Sequence, residues 1–210
     1  MSNAPAPEAA RIAVFARAPL PGAVKTRLVP MLGAEGAARL HAALVKHTLA
    51  TAAATAPASL QLWCSPDMSH PFFAACAARF GCELRVQDGA DLGERMARAF
   101  EGNTPLVLVG SDCPPLESAH LEGAWRILAD HDAVFVPAED GGYALVALAR
   151  PCASIFRDVS WGGDEVMRQT REKLAAARLR WTELDTLWDV DRPEDYERLR
   201  ASDLAAEVGT

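Results

Sequence analysis

Apolar residues along this chain fall into short continuous runs that alternate with longer stretches of helical spacing. The first run, 12–15, is flanked by Arg11 and Arg17 and stopped by Pro19, Pro21 and Gly22. It predicts a buried strand that ends in a loop. Residues 35–54 are rich in alanine, with Leu40, Leu44, Val45 and Leu49 near helical spacing, and predict a long helix. A strand is predicted at 60–64, a helix at 72–80, a short strand at 83–86 closed by Gln87-Asp88-Gly89, and a helix at 92–100. The run PLVLVG at 105–110 is almost wholly apolar, which suits a central strand covered on both faces.

The alternation continues with a helix at 121–128, started near Glu117 or Ser118, and a strand at 133–136. Residues 143–148 form another apolar run, too close behind for a helical crossover, so a locally antiparallel or irregular strand is expected there. A helix at 164–177, a last strand at 180–184 and a helix at 193–200 complete the series. Strands that alternate with helices predict an α/β fold, with a mostly parallel mixed sheet flanked by helices and right-handed crossovers.

Length and composition narrow this picture. A chain of 210 residues, 50% hydrophobic, can bury one substantial core, and no Pro/Gly/Ser-rich linker divides it. One domain is expected over 11–201, between a loose N-terminal tail at 1–10 and a C-terminal tail at 202–210. The start, MSNAPAPEAA, lacks the basic and apolar regions of a signal peptide, and no apolar stretch is long enough for a membrane span. Five cysteines without a C-x-x-C pair argue against a disulfide framework and fit a reducing cytoplasm. The net charge of −7 disfavours a nucleic-acid surface, which needs a clustered basic face.

Local charge tells a different story from net charge. In FARAPLPGAVKTRL, residues 15–28, a Pro/Gly loop delivers Lys25, Thr26 and Arg27 together after the first strand. Lysine offers a point charge and arginine a planar fork, both suited to di- or triphosphate oxygens. The alternative is a solvated basic loop. The glycine spacing matches neither the G-x-x-x-x-G-K-[ST] phosphate loop nor the G-x-G-x-x-G dinucleotide fingerprint.

Parallel sheets hold ligands at the C-terminal ends of their strands, and Asp112 stands there in GSDCPP, after the central strand. It suits a metal ligand or a turn stabiliser. Asp189 and Asp191 flank Val190 and, if extended, point the same way; the same residues also make a helix start. One of this pair with Asp112 would give the few protein oxygens that Mg²⁺ takes, and Mn²⁺ accepts similar ligands. The segment Glu139-Asp140-Gly141-Gly142-Tyr143 permits a tight turn and close ligand approach, and Gly89 to Arg95 forms a loop whose free amides could meet an anion or simply start a helix. The histidines, His41 and His47 among them, lack metal-ligand spacing and read as surface or satisfied polar positions, and the tryptophans read as packing residues.

Together these residues give the chain a resemblance. PLPGAVKTRLVPMLG, DLGERM at 91–96, GSDCPPL at 110–116 and PAEDGGYALVAL at 137–148, followed by DVDRPEDY at 189–196, occur in order. In them the chain resembles the bacterial family of small GT-A-like proteins described as DUF2064, or rSAM/selenodomain-associated transferase 1. The resemblance implies a Rossmann-like, three-layer GT-A fold of the nucleotide-diphospho-sugar transferases. It implies phosphate contacts from Lys25 and Arg27 and a divalent metal, Mg²⁺ or Mn²⁺, on Asp112, with Asp189 or Asp191 as second ligand. Nucleotide and substrate contacts are implied for Ala18, Pro21, Gly22, Thr26, Gly93, Arg95, Ser111, Gly141, Gly142 and Tyr143. Catalytic roles fall to Lys25, Arg27 and Asp112 and, where the stereochemical outcome needs a base, to Asp140, followed by Asp164.

The expected activity is a metal-dependent glycosyl transfer from an NDP-sugar to a small-molecule acceptor. A nucleotidyl transfer that releases pyrophosphate from an NTP uses the same residues, and a non-catalytic nucleotide-binding module is the third reading. Ala144, Gly162-Gly163 and Arg192 depart from the family pattern on the acceptor side.

Overall fold

The computed structural model describes residues 10–209 of the chain. Seven strands form one sheet: β1 (Arg11–Arg17), β2 (Ser59–Ser65), β3 (Glu83–Val86), β4 (Leu106–Val109), β5 (Ala133–Pro137), β6 (Tyr143–Leu148) and β7 (Trp181–Glu183). Their order is β3-β2-β1-β4-β6-β5-β7. Every pairing is parallel except those of β6, which runs antiparallel to both β4 and β5. The short connection from β5 to β6 leaves no room for a crossover helix, as the spacing predicted.

The period of two along each strand sends alternate side chains to opposite faces. Ile12, Val14, Val107 and Val109 join one core, with Val45 and Leu49 of α1 (Val29–Ala54), Phe73 of α2 (Pro71–Phe80) and Leu121 of α4 (Ser118–Ile127). Phe15, Leu106 and Leu108 join the other, with Met96 and Phe100 of α3 (Leu92–Phe100) and Met167 and Leu174 of α5 (Val166–Ala176). The apolar run of β4 is thus buried on both faces because helices cover both. These helices and the sheet make the three layers expected of this fold class.

Helix boundaries follow local chemistry. Asp91 caps α3 by accepting from the Glu94 amide at 2.8 Å, and α1 bends at Gly33, whose φ of +69° interrupts its helical geometry. Residues 1–9 of the expected N-terminal tail lie outside the described residues. The expected C-terminal tail is not extended. After α6 (Pro193–Arg200), a helix α7 (Leu204–Val208) buries Val208 in a third cluster with Leu28, Leu44, Val190 and Leu199. Leu204, Ala205, Ala206 and Val208 span little more than one turn, too short a periodic signal to predict this helix.

Candidate active site

The C-terminal edge of β1 and β4 carries the first half of the site. Beyond β1, Ala18 donates its amide to the Ser65 carbonyl at 2.8 Å, which ties the loop to the end of β2. Gly22, at φ +77°, permits the turn that follows. Val24 and Leu28 are buried on either side of Lys25, which adopts the left-handed conformation at φ +47° and ψ +43°. That backbone turns the Lys25 side chain inward and leaves Thr26 and Arg27 outside. A non-glycine residue held there costs about 1–3 kcal/mol, an investment that here serves to bury a cation.

The Lys25 ammonium meets Asp112 Oδ1 at 2.7 Å, with the lysine side chain only 3% exposed and the aspartate side chain 49% exposed. Oδ1 is enclosed and, apart from this charge pair, has no aligned hydrogen-bond donor, so the exposed part of the carboxylate is the side that faces away from Lys25. Burial pushes the Asp112 carboxyl upward, but the charge of Lys25, with smaller help from Arg17, more than offsets it and holds the group below its ordinary value.

His41, from the middle of α1, is buried behind the same carboxylate, its Nδ1 3.9 Å from Asp112 Oδ1. Its Nε2–H donates to the Arg17 carbonyl at 3.0 Å, which leaves Nδ1 as the bare nitrogen of the neutral ring. Burial lowers its proton affinity more than the Asp112 charge restores it. Sequence reasoning read His41 as a surface or satisfied polar position. It is satisfied, yet it also stands in the electrostatic environment of the site. Only the helix phase shared with buried Leu40 and Leu44 hinted at that.

The second half of the site comes from the chain after β7. The Val190 amide donates to the Asp112 carbonyl at 2.8 Å, and the Cys113 thiol to the Trp188 carbonyl at 3.2 Å. These bonds pin the segment to the end of β4. Asp189 then lines the same cavity as Asp112 and Asp140, whereas Asp191 lies farther out and pairs with the exposed Arg27 guanidinium. Asp195 Oδ2 accepts from the Asp191 and Arg192 amides and starts α6, so the helix start and the acidic pair coexist. Burial raises the Asp189 carboxyl to about 6, with the Asp140 and Asp112 charges adding to the effect and Lys25 opposing it.

The cavity encloses about 260 Å³. Its lining combines three carboxylates, Asp112, Asp140 and Asp189, with the apolar Phe15, Leu92, Met96, Leu108, Tyr143, Trp161 and Val166. Tyr143 sits edge-on to both Phe135 and Trp161, and its hydroxyl reaches Met96 Sδ at 3.8 Å. Burial pushes that phenol far above its ordinary range. A groove of about 490 Å³, with Arg27 and Asp191 on it, adjoins the cavity and shares Asp140, Asp189, Gly162 and Gly163 with it.

Not every expected ligand residue converges here. Gly142 lines the cavity and donates to Asp140 Oδ1 at 2.8 Å, which orients that carboxylate. Gly141, at φ +88°, instead lets the β5–β6 turn dock on the start of α5: a Cβ would fall 2.0 Å from the Asp164 carbonyl oxygen. Gly93 is a packing residue too, since a Cβ there would fall 2.3 Å from the Phe156 carbonyl oxygen and 2.7 Å from Trp161 Nε1. Arg95 turns away to Gly89 O and Ser65 Oγ, Ser111 is buried outside the cavity lining, and Pro21, Gly22 and Thr26 remain on the exposed loop. The cavity walls Leu92, Met96 and Val166 went unrecognised as site residues, because apolar residues at helical spacing signal core packing equally well.

The residues present fit a divalent cation. No group of three metal-type side chains is assembled among the described residues, but Mg²⁺ needs only one or two protein carboxylates. Asp112 and Asp189 supply two at one cavity.

Comparison with known proteins agrees with this architecture. The family model described as an uncharacterized protein conserved in bacteria (DUF2064) matches residues 48–163. A candidate nucleotide-diphospho-sugar transferase from Desulfovibrio desulfuricans G20 is 31% identical, with a TM-score of 0.80 over 95% of this chain and 94% of that one. The inositol-1-phosphate CTP transferase from T. maritima shares the fold at 13% identity, with a TM-score of 0.62 over 95% and 96% of the two chains. Rv0371C from Mycobacterium tuberculosis H37Rv, solved in complex with manganese, does so at 21% identity and a TM-score of 0.53, over 92% and 99%. No curated protein matches the sequence. No helix among the described residues is long and apolar enough to cross a membrane.

Proposed function

Given that the chain belongs to the DUF2064 family, whose fold it shares with nucleotidyl- and sugar-nucleotide transferases, we propose that it is a metal-dependent glycosyltransferase that uses an NDP-sugar. The observation that carries this reading is the meeting of Lys25, Asp112 and Asp189 at the sheet edge, beside a cavity able to hold an acceptor. Asp112 and Asp189 would hold the divalent ion, which supplies Lewis-acid neutralisation of the diphosphate when bound.

In this reading Arg27 leaves Asp191 to grip the donor diphosphate, and its exposure permits that exchange. Lys25, held against Asp112 beside the cavity, adds positive charge next to the charge that grows on the leaving group. The acceptor oxygen bonds to the anomeric carbon as the carbon–oxygen bond to the diphosphate breaks, and the electron pair departs with the NDP. Asp140 stands at the cavity with one oxygen fixed by the Gly142 amide, and takes the acceptor proton where the stereochemical outcome requires a base. Tyr143 is a wall residue, because its buried phenol is too weak an acid to serve at neutral pH.

The alternative is nucleotidyl transfer, supported by the fold shared with a CTP transferase. There an acceptor phosphate attacks the α-phosphorus of an NTP and pyrophosphate leaves. The test is to titrate wild type and Asp112→Asn with NDP-sugars and NTPs, with and without Mg²⁺ or Mn²⁺, and then to identify the product. Metal-dependent binding lost in Asp112→Asn, with NDP released, is expected. Undiminished metal-dependent binding in that variant would refute the metal assignment, and pyrophosphate release would replace glycosyl with nucleotidyl transfer.

A further inference from the structure

The chemistry of the cavity bears on what the second substrate can be. Its lining holds three carboxylates, Asp112, Asp140 and Asp189, and no lysine, arginine or histidine. The nearest ammonium, that of Lys25, pairs with Asp112 Oδ1 and is almost wholly enclosed. Lys25 balances one of the three negative charges and one divalent ion the other two, so the negative charge of a bound donor diphosphate is left in excess. The chamber therefore stays anionic with the donor in place, and a like-charged acceptor meets repulsion that desolvation by the apolar walls strengthens.

The walls set a second condition. Phe15, Leu92, Met96, Leu108, Tyr143 and Trp161 line the same space as the carboxylates. An apolar cavity of roughly 150 Å³ takes a benzene ring. At about 260 Å³ this one has room for a two-ring body. Tyr143 and Trp161, held edge to face at 6.4 Å, are fixed in place as wall residues, with Gly93 leaving space for the indole. The other end is open, because Gly162 and Gly163 stand where the chamber meets the outer groove, and neither presents a side chain.

From these observations we infer that the acceptor is an uncharged alcohol with an apolar ring face, seated on the Phe15–Tyr143–Trp161 wall with its hydroxyl toward Asp112, Asp140 and Asp189. This rests on the transferase reading for its direction, and it deepens that reading by excluding phosphate- and carboxylate-bearing acceptors. The groove beyond Gly162 and Gly163 takes whatever part of the acceptor exceeds the chamber.

The test needs neither donor nor metal, so its outcome is separate from that of the transferase assignment. Tryptophol and indole-3-acetate share one ring system and differ at the tail, hydroxyl against carboxylate. Their binding to the full chain is measured in metal-free buffer by saturation-transfer NMR and calorimetry. Tryptophol is expected to bind saturably, and indole-3-acetate at least about tenfold more weakly. Two variants locate the site: Leu92→Trp at the exposed mouth, and Gly163→Leu, where the backbone is unstrained and an added Cβ meets only Ser160 O at 3.4 Å. Each is expected to weaken tryptophol by about fivefold or more, given that a blocked ring contact is worth about 1–3 kcal/mol. Equal or tighter binding of indole-3-acetate, no saturable binding of tryptophol, or binding unchanged in both folded variants would each overturn the inference.

Discussion

Gly93 offers a direct test of how α3 and Trp161 build the cavity wall. In Gly93→Ala the added Cβ would lie 2.3 Å from the Phe156 carbonyl oxygen and 2.7 and 2.8 Å from two atoms of the Trp161 indole. Carbon–oxygen contacts are ordinarily about 3.3 Å or longer, so roughly 1 Å of movement is needed. The first obstacle is backbone, which cannot swing aside as a flexible side chain would. Overpacking of this kind costs about 1–3 kcal/mol. Alanine regains part of it through better helix propensity, up to about 1 kcal/mol. A net loss of about 1–2 kcal/mol is expected, or a fall in Tm of about 2–8 °C for a domain of this size. The control is Gly163→Ala, where an added Cβ meets only Ser160 O at 3.4 Å and the change stays within about 0.5 kcal/mol. Urea denaturation followed by circular dichroism measures both, and tryptophan emission reports displacement of Trp161. If Gly93→Ala were as stable as Gly163→Ala with unaltered emission, the packing argument for this glycine would fail.

Two further outcomes follow from the charged groups. The Asp189 carboxyl titrates near 6 in the folded protein against an ordinary 3.8, so between those values the folded state binds more protons and stability falls as pH rises. Asp189→Asn should therefore stabilise the metal-free protein at pH 7.5 and have little effect at pH 4; urea midpoints in EDTA that shift equally at both values would contradict this. Lys25→Met should weaken binding of a nucleoside diphosphate with Mn²⁺ by about 10- to 150-fold, the worth of a charge-assisted hydrogen bond, with circular dichroism unchanged. Calorimetry that gave wild-type affinity would remove Lys25 from the phosphate site.

Local pattern was enough for most of the framework. Four apolar residues between Pro105 and Gly110 are buried on both faces wherever helices flank a sheet, so 106–109 was recognisable as a central strand. The turn at 138–142 was legible because two glycines and a short connection leave few backbone choices, and the hairpin it predicted is there. Much of the candidate site was also visible, since Asp112 ends a strand and Lys25 closes a loop after one. Both are positions where a parallel sheet presents side chains to a ligand.

Other assignments turned on contacts between residues far apart in the chain. Sequence reasoning gave Gly93 and Gly141 to the ligand, because glycine permits close approach by any group. The group that approaches Gly93 is Phe156 O with the Trp161 indole, and the one that approaches Gly141 is Asp164 O. Asp189 and Asp191 are equivalent in a local pattern, and only the bond from Val190 N to Asp112 O sets which one reaches the cavity. The same holds for His41, whose place behind Asp112 depends on how α1 crosses the sheet. Strand, helix and turn propensities are short-range and can be read along the chain. By itself the sequence determined the kinds of chemistry available here: a loop of cations, several carboxylates and apolar helix faces. Their pairing was decided by tertiary structure, because crossovers bring together groups whose separation along the chain carries no distance information.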